Sequence, residues 1–439
     1  MIQSVPADTS GQGRPADPRQ KMSKPGAEWL TFGVAQSHMP GMHEMFTGSF
    51  TQQEPLPEAA IEAAIEVMRS GRLHRYNTAP EEVSQTSLLE SEFAEFVGAR
   101  YCLAVASGGY AMATALRAVG VGVGDRVLTN AFTLAPVPGA IAAVGAQPVF
   151  VGVTRDLVID IEDLADKAEQ ASVLLLSHMR GHICDMDRLM AVCNDANILV
   201  IEDCAHTMGA TWQSVASGRH GVIGCYSCQT YKHINSGEGG LLVTDDEEIA
   251  ARAVMLSGSY MLFDRHGAAP PVAAFESIKY ETPNISGRMD NLRAAILRPQ
   301  LADLHRQVDR WAGLYSVIEQ GLSDTPGLTL VRRLDGERFV GSSFQFLLLD
   351  WSGDAVQDLL RRCAARGVEL KWFGTPEPVG FTSRYDSWTY APSHPMPETD
   401  RILHGLLDLR VPLTFSSEDC ALIARIIKAE TSAVYQAAS

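Results

Sequence analysis

Apolar residues recur along this chain in two alternating spacings. Residues 57–68 place Ile61, Ile65 and Met68 at helical intervals, and residues 86–97 repeat that pattern. From about residue 100 the pattern changes to short continuous apolar runs at 101–106, 126–129, 147–151, 173–177, 198–202 and 222–227. Segments with helical spacing, at 109–119, 134–144, 161–170 and 185–196, lie between most of them. Such alternation predicts buried strands in a mostly parallel sheet with helices on both faces. In a sheet of this kind the loops at the carboxyl ends of the strands form the ligand crevice, so chemistry is expected just after those runs. A long helical stretch, roughly 289–321, reads as a connector with Leu292, Ala295, Ile296, Leu301 and Leu304 among its apolar positions. Beyond it, apolar runs at 343–349 and 409–413 alternate with helical segments at 354–365 and 416–430, which predicts a smaller α/β domain.

The chain has 439 residues, 46% of them hydrophobic, enough for one large domain and one smaller one. The expected division is a disordered tail at 1–26, a large domain with an N-terminal helical arm at 27–290, and a connector helix with the small domain at 291–439. The tail is polar, with Pro, Gly and Arg interspersed and no apolar stretch, so no secretory signal is expected there. A net charge of −16 repels nucleic acid phosphates and anionic lipids, and no apolar run is long enough to span a bilayer. Neither nucleic acid nor membrane is therefore an expected partner. Eight scattered cysteines, most in apolar runs, suit a reduced cytoplasmic protein. Cys225 and Cys228 form a CxxC without a second pair, and the twelve histidines show no ligand spacing, so no metal is expected. Gly120, Gly122 and Gly124 mimic a dinucleotide fingerprint but follow a helix and precede a strand, which makes them a turn.

Three segments remain as candidate chemistry. In Ala106-Ser107-Gly108-Gly109-Tyr110 a strand enters a helix, and small residues at a helix N-terminus make a phosphate seat, although most such glycine pairs are only turns. In Val200-Ile201-Glu202-Asp203-Cys204-Ala205-His206 a carboxylate follows a buried strand. It either caps the next helix or pairs with a protonated pyridine nitrogen. In 226–240 Lys232 sits in a loop rich in hydroxyl and amide side chains, after a strand and before Gly237, Gly239 and Gly240. A lysine is ordinarily a solvated charge, but in a semi-buried loop it becomes a nucleophilic amine.

In order and spacing these segments resemble the DegT/DnrJ/EryC1/StrS family of pyridoxal-phosphate-dependent aminotransferases, over roughly 55–430. The resemblance implies an α/β type I aminotransferase fold and a cytoplasmic homodimer with shared active sites, which uses a small-molecule amino donor and a carbonyl acceptor. It makes Lys232 the Schiff-base lysine and Asp203 the partner of the cofactor's ring nitrogen. It sets His206 near the phenolic oxygen, makes Ser227 and Gln229 phosphate contacts, and makes Gly108 and Gly109 the phosphate turn. The runs His178-Met179-Arg180-Gly181 and Gly287-Arg288-Met289 also match family segments.

The departures bear on the substrate. Leu134 follows Thr133 where the family places an aromatic ring over the cofactor, which leaves Phe132 as a substitute. The asparagine that reaches the neighbouring subunit's phosphate is replaced in place by Ser286, with Asn284 two residues further back. The family's His-Tyr-Pro stretch, associated with nucleotide-sugar substrates, is missing. Lys371, Trp372, Phe373 and Arg384 occupy that region instead. Arg384 and Trp372 are therefore expected to receive a small acid-bearing substrate, with Arg75 at the active-site mouth. A lyase or dehydratase using the same cofactor, and a nucleotide-sugar aminotransferase, stay open as alternatives. A non-catalytic protein on the same fold is disfavoured by the intact Lys232 and Asp203.

Overall fold

The computed structural model describes residues 44–380 and 384–438. The tail at 1–26 and the start of the arm lie outside the described residues. Every apolar run read as a buried strand in the first half of the chain forms one. These strands are β1 (Tyr101–Val105), β2 (Arg126–Asn130), β3 (Gln147–Val151), β4 (Val173–Ser177), β5 (Leu199–Asp203) and β6 (Ile223–Ser227), and β7 (Gly240–Thr244) follows. They make a seven-stranded sheet in the order β1-β7-β6-β5-β4-β2-β3. The pairs β3–β2, β2–β4, β4–β5 and β5–β6 are parallel, and only β7 runs against its two neighbours. Helices cover both faces, and two apolar clusters form, one on each side. Leu174, Val200 and Leu241 belong to one cluster, and Leu175, Ile201 and Leu242 to the other. The alternation follows from strand geometry, in which successive side chains point to opposite faces.

The predicted long connector is two helices, Asn291–Ala302 and Leu304–Leu322, with the break at Asp303. The first packs on the helices Glu58–Ser70 and Gln85–Val97, and the second on the C-terminal helix Ser417–Ala438. A second, antiparallel sheet joins β8 (Thr329–Leu330), β9 (Ser343–Leu347), β10 (Lys371–Trp372) and β11 (Leu406–Arg410), in the order β8-β9-β11-β10. Its core also takes Phe46 and Phe50, whose rings meet Phe415 edge-on, so the start of the described chain packs with its end. The apolar run expected at 409–413 is displaced: the strand is Leu406–Arg410, with Asp408 buried inside it. Pro412 lacks the amide a central strand needs, and the charged residues hide the strand from an apolar count. The glycine-rich turn at 120–124 joins a helix to β2, with Gly120 and Gly124 at positive φ.

Candidate active site

The carboxyl ends of β4, β5 and β6 open onto a cavity of about 580 Å³, whose other wall comes from Ser342, Ser343 and Arg410 of the second sheet. The turn after β1 also reaches it. Ser107 caps the helix Gly108–Ala118 by accepting the Tyr110 amide at 3.1 Å. The first amides of a helix have no partner within it, so the Gly108-Gly109 end offers donors and the positive end of the helix dipole to an anion. The approach is close, because a Cβ on Gly108 would stand 2.8 Å from the Ser227 Cβ at the end of β6. Ser227 and Gln229 line the same end of the cavity.

Asp203 is the last residue of β5 and is buried. Its Oδ2 accepts the Ser177 hydroxyl at 3.0 Å, and Ser177 in turn accepts the Thr133 hydroxyl at 2.9 Å. Its Oδ1 accepts the Ala205 amide at 3.1 Å, which fixes the carboxylate from both oxygens. Burial pushes the Asp203 carboxyl up, while Lys232, the Ala205 amide and Ser177 pull it down.

Lys232 rides on the loop between β6 and β7. Backbone hydrogen bonds from Cys228 to Gly239 at 2.8 Å and from Ser236 to Cys228 at 3.1 Å close the loop, and Gly237 turns it at φ +83°. The Lys232 Nζ reaches the His206 Nε2 at 3.1 Å. Burial lowers the amine to about 8, with Asp203 opposing and Arg180 and Arg410 assisting. Burial also drives His206 well below its ordinary value, and Lys232 adds to that. A neutral imidazole beside a partly deprotonated amine is an arrangement for nucleophilic attack and proton transfer.

The cavity thus gathers Gly108, Gly109, Asp203, His206, Ser227, Gln229 and Lys232. Other expected residues lie elsewhere. Arg75 is buried in a two-pronged pair with Glu90, at 2.9 and 2.8 Å, so its guanidinium is committed to the fold and not to a substrate. Trp372 packs into the second core and donates its indole N–H to the His404 carbonyl at 2.6 Å. Arg384 is held by both oxygens of Asp386, at 3.0 and 2.8 Å, and by Asp400 at 3.2 Å, outside the cavity. Phe132 is buried against Phe373 at 5.2 Å, and Leu134 lines the cavity in its stead. Asn284 is exposed and does not line the cavity. Reasoning from sequence passed over Ser177, Tyr231 and Arg410, which do line it. A buried trio of His178, Glu202 and Cys204 has metal-like proximity. However, the Glu202 carboxylate is already filled by the amides of Gly218, His220 and Gly221 and by His178.

Residues 56–428 match the DegT/DnrJ/EryC1/StrS aminotransferase family. The chain belongs to that family. It is similar to the spore coat polysaccharide biosynthesis protein SpsC of Bacillus subtilis (strain 168), with 33% identity over 252 residues, 54% of this chain and 62% of the relative. It is also similar to the L-glutamine:2-deoxy-scyllo-inosose aminotransferase of Streptomyces lividus, with 32% identity over 259 residues, 58% of this chain and 60% of the relative. The aligned stretch thus spans about three-fifths of the length of these two family members. Among solved structures, the aminotransferase TlmJ from Streptoalloteichus hindustanus superposes with a TM-score of 0.73 at 23% identity, covering 89% of this chain and 99% of that one. A 3-amino-5-hydroxybenzoic acid synthase superposes with a TM-score of 0.73 at 24% identity, covering 87% and 99%. The fold is therefore that of the family's α/β aminotransferases, as the strand–helix alternation and motif spacing implied.

Proposed function

We propose that this protein is a pyridoxal-phosphate-dependent aminotransferase that moves an amino group from a small amino donor to a small carbonyl acceptor. The observation that carries this reading is a half-buried amine, Lys232, whose Nζ stands 3.1 Å from His206 in the same cavity as the doubly anchored Asp203. The residues present fit the cofactor. The helix end at Gly108-Gly109, with Ser227 and Gln229, would hold its phosphate. Asp203 would pair with the ring nitrogen, and His206 would serve the ring oxygen. Lys232 would hold the aldehyde carbon. When bound, the cofactor supplies an electron sink for the bonds around the amino-bearing carbon. Lys232 takes and returns the proton at that carbon through Nζ, for which an amine of about 8 is suited near neutral pH. Ser177 and the Ala205 amide keep Asp203 in line, and a neutral His206 leaves Nζ free of a competing charge.

Relatives named as L-glutamine-dependent support glutamine or glutamate as donor. The protein acts as a cytoplasmic homodimer in this reading, with Asn284 reaching the partner's cofactor. Among the described residues no helix is long and apolar enough to cross a membrane.

Spectroscopy of the donor half-reaction tests the reading. L-Glutamine or L-glutamate alone should shift the absorption band of the loaded enzyme and hold it there until a carbonyl acceptor is added. A band that returns unaided would mark a lyase, and one that never moves would mark a binding protein.

A further inference from the structure

The loop that carries Lys232 contains neither helix nor strand between the end of β6 at Ser227 and the start of β7 at Gly240. One side of it faces the active-site cavity. Behind it lies a second cavity of about 630 Å³, lined by Lys232, His233, Asn235, Gln300 and Arg306 among others. Space therefore lies on both sides of the amine, and packing alone does not fix where it stands. Ile234 is buried in the same apolar core as Leu301 and Leu304, which keeps the loop attached. An apolar contact has no direction, however, so it leaves the tilt of the loop open.

Hydrogen bonds do have direction, and one side chain supplies a pair of them. Gln300 stands near the end of the helix Asn291–Ala302. Its Oε1 accepts the Asn235 amide at 3.0 Å, and its Nε2 donates to the Asn235 carbonyl at 2.8 Å. It thus meets both polar groups of one loop residue, as a neighbouring strand would. The same Nε2 donates to the Ile296 carbonyl at 2.8 Å, one turn back on its own helix. An amide nitrogen carries two N–H donors, so both acceptors are served and the side chain is fixed to its helix while it holds the loop. A second tie comes from the side of the second sheet. The His233 Nε2 lies 3.0 Å from the Ser342 Oγ, and the His233 ring meets Trp311 edge-on at 5.2 Å. His233 is next to Lys232 in the chain, and Asn235 is three residues on.

We infer that Gln300 is a positioning residue for the Lys232 amine: by gripping the loop at Asn235 it keeps Nζ beside His206 and in reach of the reacting carbon. The inference deepens the aminotransferase reading, on which it rests for what Nζ does. Gln300 acts through the backbone between Asn235 and Lys232, not by contact with Nζ. A nucleophile held in line gains much of its rate from orientation, so a looser loop slows attack without altering the seat of the cofactor's phosphate. Gln300 and Asn235 both border the second cavity, where water can replace a lost side-chain partner. Loss of the grip is therefore felt in the position of the amine more than in the fold.

Gln300→Met tests this, because it keeps the length of the side chain and loses its hydrogen bonds. Gln307→Met is the control: Gln307 borders the same second cavity but bonds Asp303 and Arg310, not the loop. Three readings are taken on the full chain freed of cofactor. They are hydrogen exchange in the peptide that contains Asn235, the stopped-flow rate at which pyridoxal phosphate is captured, and the calorimetric affinity for pyridoxamine phosphate, which forms no bond to a lysine. In Gln300→Met that peptide should exchange at least about tenfold faster and capture should slow at least about tenfold, while pyridoxamine phosphate binds within about twofold of the parent. Gln307→Met should match the parent in all three. Should Gln300→Met not fold, Gln300→Asn, one carbon too short to span both bonds, is put through the same readings. Exchange as in the parent would overturn the proposal, as would faster exchange with capture at the parent rate. Capture and pyridoxamine phosphate weakened alike would make Gln300 part of the fold only, and would overturn it too. A parent chain that captures no pyridoxal phosphate, with exchange of the loop still set by Gln300, would sink the cofactor reading and leave the grip on the loop supported.

Discussion

At Lys232 the decisive quantity is the cost of keeping a charge out of water. Burial lowers the amine to about 8, so Nζ turns from ammonium to amine as pH rises through that value. The rate at which the cofactor-free protein captures pyridoxal phosphate should rise with pH through about 8 and level off above it. Stopped-flow absorbance across pH 6.5–9.5 checks this, at roughly one unit beyond the values that bracket the transition. A rate flat across that window would contradict a titrating amine at Lys232. Asp203 works by opposite charge. Asp203→Ala should leave Lys232 able to hold the cofactor while lowering turnover by at least about 10², as expected for loss of a charge-stabilising group. Absorbance of the bound cofactor and steady-state kinetics on one sample separate the two effects.

The chemistry of single residues was only partly legible in the sequence. Lys232, Asp203 and His206 could be picked out because each stands at or within five residues of the carboxyl end of a buried strand, and the fold brings those ends to one cavity. The pairings of Arg75 and Arg384 were not legible in the sequence: Glu90, 15 residues away, takes both prongs of Arg75, while Asp386, two residues away, takes Arg384 with a further contact to Asp400. Trp372 and Lys371 are neighbours on one strand, so they point to opposite faces, and it is Lys371 that shares the face of Asp408 and Arg410. Nothing in the spacing indicated which of the two it would be.

At the scale of elements, the turn from β1 into its helix depends on one glycine more than on the other. A Cβ on Gly108 would meet the Ser227 Cβ at 2.8 Å, whereas one on Gly109 meets nothing closer than 3.9 Å. Gly108→Ala should therefore cost about 1–3 kcal/mol of stability by overpacking and should weaken cofactor retention. Gly109→Ala should change both little. Melting curves and cofactor content after dialysis distinguish the two variants. Glu90 anchors a different junction. It pairs with Arg75 and accepts the Ala104 amide of β1 at 2.9 Å. Removing it as Glu90→Ala should cost about 3–5 kcal/mol, because Arg75 is left charged and buried. Denaturant unfolding measures that loss. Arg75 and then His266 hold the Glu90 carboxyl far below its ordinary range against the opposing effect of burial, so the stability it contributes is present at neutral pH and is lost progressively as pH falls below the ordinary carboxylate range. The connector shows where periodicity misleads: 289–321 keeps helical spacing throughout, yet the helix breaks at Asp303, and Leu304, Val308 and Trp311 of the second helix stay in the core of the first sheet before Leu314, Tyr315, Ile318 and Leu322 join the other.

At the scale of the whole molecule, the cavity lies where the carboxyl edge of the parallel sheet meets the face of the second sheet that carries Arg410. The first sheet supplies Lys232, and the second supplies Arg410. The alternation of runs indicated the first sheet plainly. The second was harder to see, since β11 contains Asp408 and Arg410 among its leucines. Asn284 stands in an exposed stretch with Ile285, and Tyr260, whose hydroxyl lies 3.4 Å from that of Ser286, is exposed as well. If Asn284 serves the partner's site, hybrids of Lys232→Ala and Asn284→Ala chains should recover part of the activity that each homodimer lacks. Well-formed hybrids without recovery would place the trans contact elsewhere.

The central claim is that Lys232 is the residue that holds the cofactor. Borohydride reduction of the protein loaded with pyridoxal phosphate, followed by peptide mapping, tests it most directly. The account predicts a single phosphopyridoxyl label on Lys232, absent from Lys232→Ala. A label on any other lysine, or one retained in Lys232→Ala, would contradict it.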